Sequence, residues 1–233
     1  MDEHRSSPKG GVVFDLDGTL VDSAPDILAA LNRLLLDYGR RKADGDELRF
    51  WLGDGVSRLV ARAFDARGGL PEGVALEMAA REFRSFYSGH ATDETRLFPH
   101  VAEVLEQLQE QGYRLGVCTN KGDALALEVL EGLGIRRRFS AVLGGDRSPV
   151  CKPDPAHILK TLEEMGADPA RALMVGDTDN DVAAAKRAGI PVVVTSFGYA
   201  CGPVTNADAV IDDFLELLSL APAYCSLEAR GGG

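Results

Sequence analysis

No apolar stretch in the sequence approaches the ~20 residues a helix needs to cross a bilayer, and the first long one, GGVVFDLDGTL, is broken by two aspartates. Basic residues are the minority, 25 Lys and Arg against 36 Asp and Glu, for a net charge of −11. That balance argues against nucleic acid or an anionic membrane as a partner, since both select basic surfaces. An anionic substrate must then be drawn in by a local cation or a focused set of donors. Cysteine is sparse: Cys118, Cys151, Cys201 and Cys225 form no C-x-x-C pair and no disulfide framework. His4, His90, His100 and His157 share no motif, Trp51 is the only tryptophan, and no internal repeat is visible. The opening MDEHRSSPKG has mixed charge and no apolar segment, unlike a secretory leader, so a reducing cytoplasm is the expected location.

The remainder is ordinary globular material. Hydrophobic residues make up 45% and charged residues 26% of the 233, enough apolar mass for a core. Short, nearly all-apolar runs at 12–15, 114–118, 141–143, 172–175, 192–195 and 209–211 alternate with amphipathic segments at 101–111, 123–133, 155–165 and 180–188. Strands covered on both faces read this way, and the alternation predicts a doubly wound (Rossmann-like) α/β fold with a parallel sheet. Gly112, Gly134, Gly166 and Gly189 follow the helical segments as C-terminal caps.

One stretch breaks the rhythm. Residues 22–94 contain helical patterns at 26–36, 56–64 and 74–87 but no convincing strand. A structureless connection of that length is uncommon, so a small α-helical cap domain (22–94) inserted into the core (9–21 and 95–221) is expected. Ser23-Ala24-Pro25 and Leu97-Phe98-Pro99 would connect the two, and 1–8 and 222–233 read as frayed tails.

Ligand sites in such sheets lie beyond the carboxyl ends of the strands. The segments just past the strand candidates are Asp15-Leu16-Asp17-Gly18-Thr19, Thr119-Asn120-Lys121, Cys151-Lys152-Pro153 and Gly176-Asp177-Thr178-Asp179-Asn180-Asp181. Asp15, Asp17, Asp177 and Asp181 would crowd together, and like charges that close need a cation. Carboxylate oxygens without His or Cys suit Mg²⁺. Lys152 and the Thr119 hydroxyl are donors for an oxyanion, and Gly18 admits close backbone approach, with turn N–H groups as a phosphate cradle. Thr119 could also cap the following helix, as Asp177 and Asp181 could cap theirs.

FDLDGTL, VCTN, Lys152 in CKPDP and GDTDND occur in that order, each after a strand candidate. They resemble the four motifs of the haloacid dehalogenase-like hydrolase superfamily, over nearly the whole chain from Gly11 to about Leu218. The resemblance implies that Asp15 is the nucleophile and forms an aspartyl-phosphate, with Asp17 as general acid and then base. It implies Mg²⁺ on the Asp15 carboxylate, the Asp17 carbonyl and Asp177, with Asp181 orienting Lys152 or a metal-bound water. Thr119, Asn120, Lys152 and Gly18 would meet the phosphate. Retention of Asp17 fits hydrolysis of a phosphate ester rather than dehalogenation.

DLDGTLVDSAPDI, WLGDGVSRLVARAF and SFGY are similar to the phosphoglycolate phosphatase branch, which implies cleavage of 2-phosphoglycolate to glycolate and phosphate. The Gly53-Asp54-Gly55 turn would then approach the phosphate and Arg58 would meet the substrate carboxylate, although a helix-surface arginine is equally a solvated charge. His100 in FPHV departs from the glycine found in relatives. Other readings are a phosphatase of another small phosphorylated metabolite, a sugar-phosphate mutase of the same fold, and a silent phospho-ligand sensor. Monomer and homodimer are both compatible with the sequence.

Overall fold

The computed structural model describes residues 9–226. Six strands form one parallel sheet: β1 (Gly10–Phe14), β4 (Tyr113–Cys118), β5 (Ala141–Leu143), β6 (Ala172–Gly176), β7 (Val192–Thr195) and β8 (Ala209–Ile211). Their order is β5-β4-β1-β6-β7-β8, with β1 central and paired in register to both neighbours, Val12 against Leu115 and Leu173. The order runs outward in both directions from β1, which is the double winding expected of the α/β alternation.

Side chains of β1 alternate between two cores, as the pleat requires. Val12 and Phe14 join one apolar cluster with Leu105 and Leu108 of α5 (Val101–Glu110), Ala126 of α6 (Asp123–Gly132) and Leu217 of α9 (Leu217–Cys225). Val13 joins the other, with Ile158 and Leu162 of α7 (Pro155–Met165) and Val182 and Ala185 of α8 (Asp179–Ala188). Helices therefore cover both faces, which is why these strands contain no polar alternation. The four cap glycines all take positive φ, between 63° and 91°. Helix α9 continues through Pro222 to a buried Cys225, so the chain remains ordered beyond the point where the sequence reads as a tail; residues 1–8 and 227–233 lie outside the described residues.

After β1 the chain makes a two-residue strand β2 (Val21–Asp22), and it returns through β3 (Arg96–Leu97), antiparallel to β2 in a separate two-stranded sheet. Between them run α1 (Ala24–Asp37), α2 (Gly45–Arg49), α3 (Val56–Asp65) and α4 (Leu76–Tyr87). Helix α2 has no amphipathic period at five residues; the reciprocal Asp44–Glu47 capping box holds it. Leu31, Leu34, Leu48, Val60, Phe64 and Phe83 fill the centre of this helical insert, and Trp51 is buried beneath the Arg67 guanidinium. The two crossings are tied together by buried Asp26, whose carboxylate accepts the Glu94 N–H (2.9 Å), the Thr95 N–H (2.8 Å) and the Thr95 hydroxyl (2.7 Å). Among the described residues no helix is long and apolar enough to cross a membrane.

Candidate active site

The turns after β1, β4 and β6 and the loop after β5 converge at one edge of the sheet. Asp15 continues β1, its N–H donating to the Val175 carbonyl (2.9 Å). Its Oδ1 accepts the Leu16 N–H (2.7 Å) and faces Lys152 Nζ at 2.9 Å. Lys152 is fully buried at 4% exposure and also donates to Asp181 Oδ1 (2.7 Å). Asp181 is the N3 residue of α8, and its Oδ2 accepts the Thr178 N–H and hydroxyl and the Asp177 N–H. Both Asp181 oxygens therefore have partners: this residue fixes Lys152 and the start of α8 at once.

Asp177 sits between these groups, accepting the Tyr199 N–H (2.7 Å) and the Thr19 hydroxyl (3.3 Å). Gly18 packs against it at φ 85°, and a Cβ there would overlap the Asp177 carboxylate. The Gly18 N–H is used within the turn, donating to Val21 O (2.9 Å), so Gly18 serves by its missing side chain rather than as a phosphate donor.

Oxygens of Asp15, Asp177 and Asp181 lie within 4.8 Å of one another, all three residues buried. Burial, opposed by Lys152 and reinforced by Asp181, raises the Asp15 carboxyl to about 6. Burial, then Asp181 and Asp15, pushes Asp177 well above the usual carboxylate range. Burial alone would lower the Lys152 ammonium, but Asp15 and Asp181 hold it above the ordinary lysine range. Three buried carboxylates against one ammonium leave excess negative charge in a donor set made only of hard oxygens, a cluster that fits a divalent cation of the Mg²⁺ class.

Asp17 lies two residues on. Its Oδ1 accepts the Ser23 hydroxyl (2.6 Å), and Lys121 Nζ reaches both oxygens, at 3.0 and 3.2 Å. Thr119 is buried and lines the same cavity, its Oγ1 accepting the Lys121 N–H (3.2 Å). Asn120 bridges segments: its amide donates to the carbonyls of Gly53 and Lys152 (both 2.9 Å) and accepts the Lys152 N–H (3.0 Å). The Gly53–Gly55 loop is held to the sheet by these bonds and by Asn180, which donates to Asp54 (2.8 Å). Asp54 in turn pairs with Arg62. Arg58 is exposed on α3 and is not part of the cavity wall.

That wall combines Asp15, Asp17, Thr119, Asn120 and Lys121 from the sheet with Trp51, Val56, Leu59, Phe83 and Tyr87 from the insert, around a cavity of about 50 Å³. Lys121 stands inside the TNK run, but the sequence alone assigns it no role. Tyr87 carries no sequence signal, and Tyr199 is marked only as the end of the SFGY run with no role attached, because the partners of both are distant in the chain.

The chain matches the family described as haloacid dehalogenase-like hydrolase over residues 12–195. It belongs to that family. Among its relatives, a phosphoglycolate phosphatase of Caulobacter vibrioides is 39% identical over 208 residues, covering 88% of each chain. Another, from Rhodospirillum rubrum, is 41% identical over 212 residues, again covering 88% of each. The crystal structure of a predicted phosphoglycolate phosphatase from Haemophilus somnus superposes with a TM-score of 0.85 at 36% identity, covering 91% of this chain and 97% of that one. The chain is thus a phosphatase-type member of the hydrolase family, and the four motifs seen in the sequence converge at its sheet edge.

Proposed function

We propose that this protein is a Mg²⁺-dependent phosphomonoester hydrolase of the cytoplasm that cleaves 2-phosphoglycolate to glycolate and phosphate. The observation that carries this reading is the convergence of Asp15 and Asp17, with Thr119 and Lys121, on one cavity whose far wall is built by Trp51, Phe83 and Tyr87 of the helical insert. The names of the full-length relatives support the same substrate. The helical insert serves as the cap that closes over it.

Asp15 Oδ1 is held by Leu16 and Lys152, so the carboxylate cannot rotate freely. Its other oxygen attacks phosphorus in line, forming the aspartyl-phosphate as the ester P–O bond breaks. Asp17 delivers a proton to the departing alkoxide, then takes one from the water that attacks the aspartyl-phosphate and releases phosphate. The Thr119 hydroxyl donates to a phosphoryl oxygen, and Lys152 balances charge beside Asp15. Asp15, the Asp17 carbonyl and Asp177 would hold Mg²⁺, which when bound neutralises charge on the transferring group.

The test is initial-rate phosphate release from 2-phosphoglycolate, sugar phosphates, nucleoside monophosphates and pyrophosphate, with and without Mg²⁺. Asp15→Asn abolishes release, and Asp17→Asn lowers it by roughly 10²–10⁴-fold. A lead for 2-phosphoglycolate of about 100-fold, roughly 2.7 kcal/mol, is expected. A flat panel would leave the chemistry standing and remove the substrate; no Asp15-dependent release would remove both.

A further inference from the structure

Lys121 ends the Thr119-Asn120-Lys121 run after β4, and its side chain is 4% exposed. Its Nζ lies 3.0 and 3.2 Å from the Asp17 oxygens, 2.9 Å from Tyr87 Oη, and 4.6 Å over the Tyr87 ring. Among the residues lining the cavity it is the only one with positive charge. Lys152 is engaged with Asp15 and Asp181 and is not part of that wall. Apart from Asp15, Asp17, Thr119, Asn120, Lys121 and the Tyr87 hydroxyl, the side chains of the wall are apolar, among them Trp51, Val56, Leu59, Phe83 and Leu125.

Such a wall discriminates by charge. A neutral, hydroxyl-bearing leaving group would give up water and find few partners, which costs free energy. A leaving group with a carboxylate would meet a buried ammonium, the strongest kind of hydrogen bond available. An ammonium has three N–H donors; Lys121 spends two on the two oxygens of one carboxylate, Asp17, and one on Tyr87 Oη, so an incoming carboxylate would take over one of the two Asp17 contacts.

We propose that Lys121 Nζ, with Tyr87 Oη beside it, binds the carboxylate of the substrate and is the group by which this enzyme selects a two-carbon phospho-acid. The proposal rests on the phosphatase reading above. It moves carboxylate recognition from the exposed Arg58 to a residue of the sheet edge, next to the phosphate-facing Thr119. The insert contributes through Tyr87, so closure of the insert and recognition of the carboxylate occur together.

The measurement is the ratio of kcat/KM for 2-phosphoglycolate to that for 2-hydroxyethyl phosphate, a two-carbon ester with a neutral hydroxyl in place of the carboxylate. Lys121→Met is expected to cut this ratio about 10- to 100-fold, the worth of one hydrogen bond between charged groups, chiefly through KM for 2-phosphoglycolate. Lys121→Arg, which keeps the charge, recovers part of the ratio. If the Met variant does not fold, Lys121→Gln keeps the polar chain and reads the same ratio, and Tyr87→Phe lowers it by a smaller factor. Equal loss on both esters, with the ratio unchanged, would mean that Lys121 serves Asp17 alone and overturns the proposal. A wild-type enzyme that does not distinguish the two esters, yet releases phosphate from others in an Asp15-dependent way, overturns the substrate reading itself. The two failures therefore differ in the protein that reveals them.

Discussion

Tyr199 and Asp177 are joined by a main-chain bond, the Tyr199 N–H donating to Asp177 Oδ2 at 2.7 Å, while the Tyr199 phenol is used elsewhere. Its Oη donates to Asp22 (2.7 Å) and accepts the N–H groups of Ser23 (2.6 Å) and Ala24 (2.9 Å). Ser23 is the N-cap of α1 but makes no side-chain cap, because its hydroxyl is committed to Asp17. The phenol caps that helix in its place. Tyr199→Phe should therefore separate stability from metal binding. Two N–H groups lose their acceptor at about 1–3 kcal/mol in total, and Tm falls by about 2–4 °C per kcal/mol for a chain of this size. The Mg²⁺ concentration for half-maximal activity stays within a factor of two or so. A large change in Mg²⁺ requirement would contradict this division of labour.

Asp26 makes a parallel case at the other end of the insert. Its carboxylate accepts three bonds from Glu94 and Thr95 across a buried junction. Asp26→Ala leaves donors unpaired and costs roughly 2–4 kcal/mol. Asp26→Asn also destabilises, since one amide N–H group then faces donors instead of accepting from them. Thermal melts of both variants check this, and an unchanged Tm for Asp26→Ala would show that the two crossings do not depend on this clamp.

The sheet, its strand positions and the acidic edge were legible in the sequence because each rests on local signals: apolar runs, glycine caps, and polar residues just past strand ends. The long-range pairings were not. Lys121 and Asp17 are 104 positions apart, and Tyr199 and Ser23 are 176 apart, so no periodicity brings them together. Tyr87 reads as one more apolar residue on the buried face of α4, and nothing local marks its hydroxyl as a partner for Lys121. His100 was visible only as a departure from glycine. The structure supplies the reason for that glycine: residue 100 caps α5 in the left-handed region at φ 63°, where a side chain is strained. His100 Nδ1 lies 2.9 Å from Asp213 Oδ1, a contact glycine cannot make.

On the proposed function, protons and Mg²⁺ would compete for the acidic cluster. Asp15 in the metal-free protein is raised from 3.8 to about 6, and Asp177 is raised further above its ordinary range. A carboxyl raised on folding removes stability as pH climbs from the unfolded to the folded value, here between 3.8 and about 6. Mg²⁺ requires the deprotonated forms, so its apparent affinity rises with pH, by about tenfold per unit for each proton displaced. Calorimetric titration from pH 5 to 7 should show at least about a tenfold gain. Asp177→Asn removes one of the raised groups and one metal-binding oxygen. It should bind Mg²⁺ more weakly and lose most of the roughly 2.7 kcal/mol that 100-fold saturation confers on wild type. An affinity independent of pH would show that protons do not hold these carboxylates when the metal is absent.

His157 gives the opposite dependence. It is fully buried on α7, neither ring nitrogen has a well-formed hydrogen bond, and burial followed by the Lys152 charge pushes the imidazole from 6.5 down to about 4. The Leu143 backbone offsets only part of this. A base whose pKa falls on folding contributes stability above its unfolded value, lost as pH drops from 6.5 toward 4. His157→Leu replaces a poorly satisfied polar ring with apolar volume, so at pH 7.5 it should lie within about 1 kcal/mol of wild type. At pH 4.5 it should be the more stable protein, by on the order of 2 kcal/mol. Urea titrations in EDTA at the two pH values remove the metal from the comparison, and Asp15 and Asp177 titrate in both proteins. The difference between the two proteins then reports His157. Parallel losses of stability between pH 7.5 and 4.5 would show that the buried imidazole does not resist protonation.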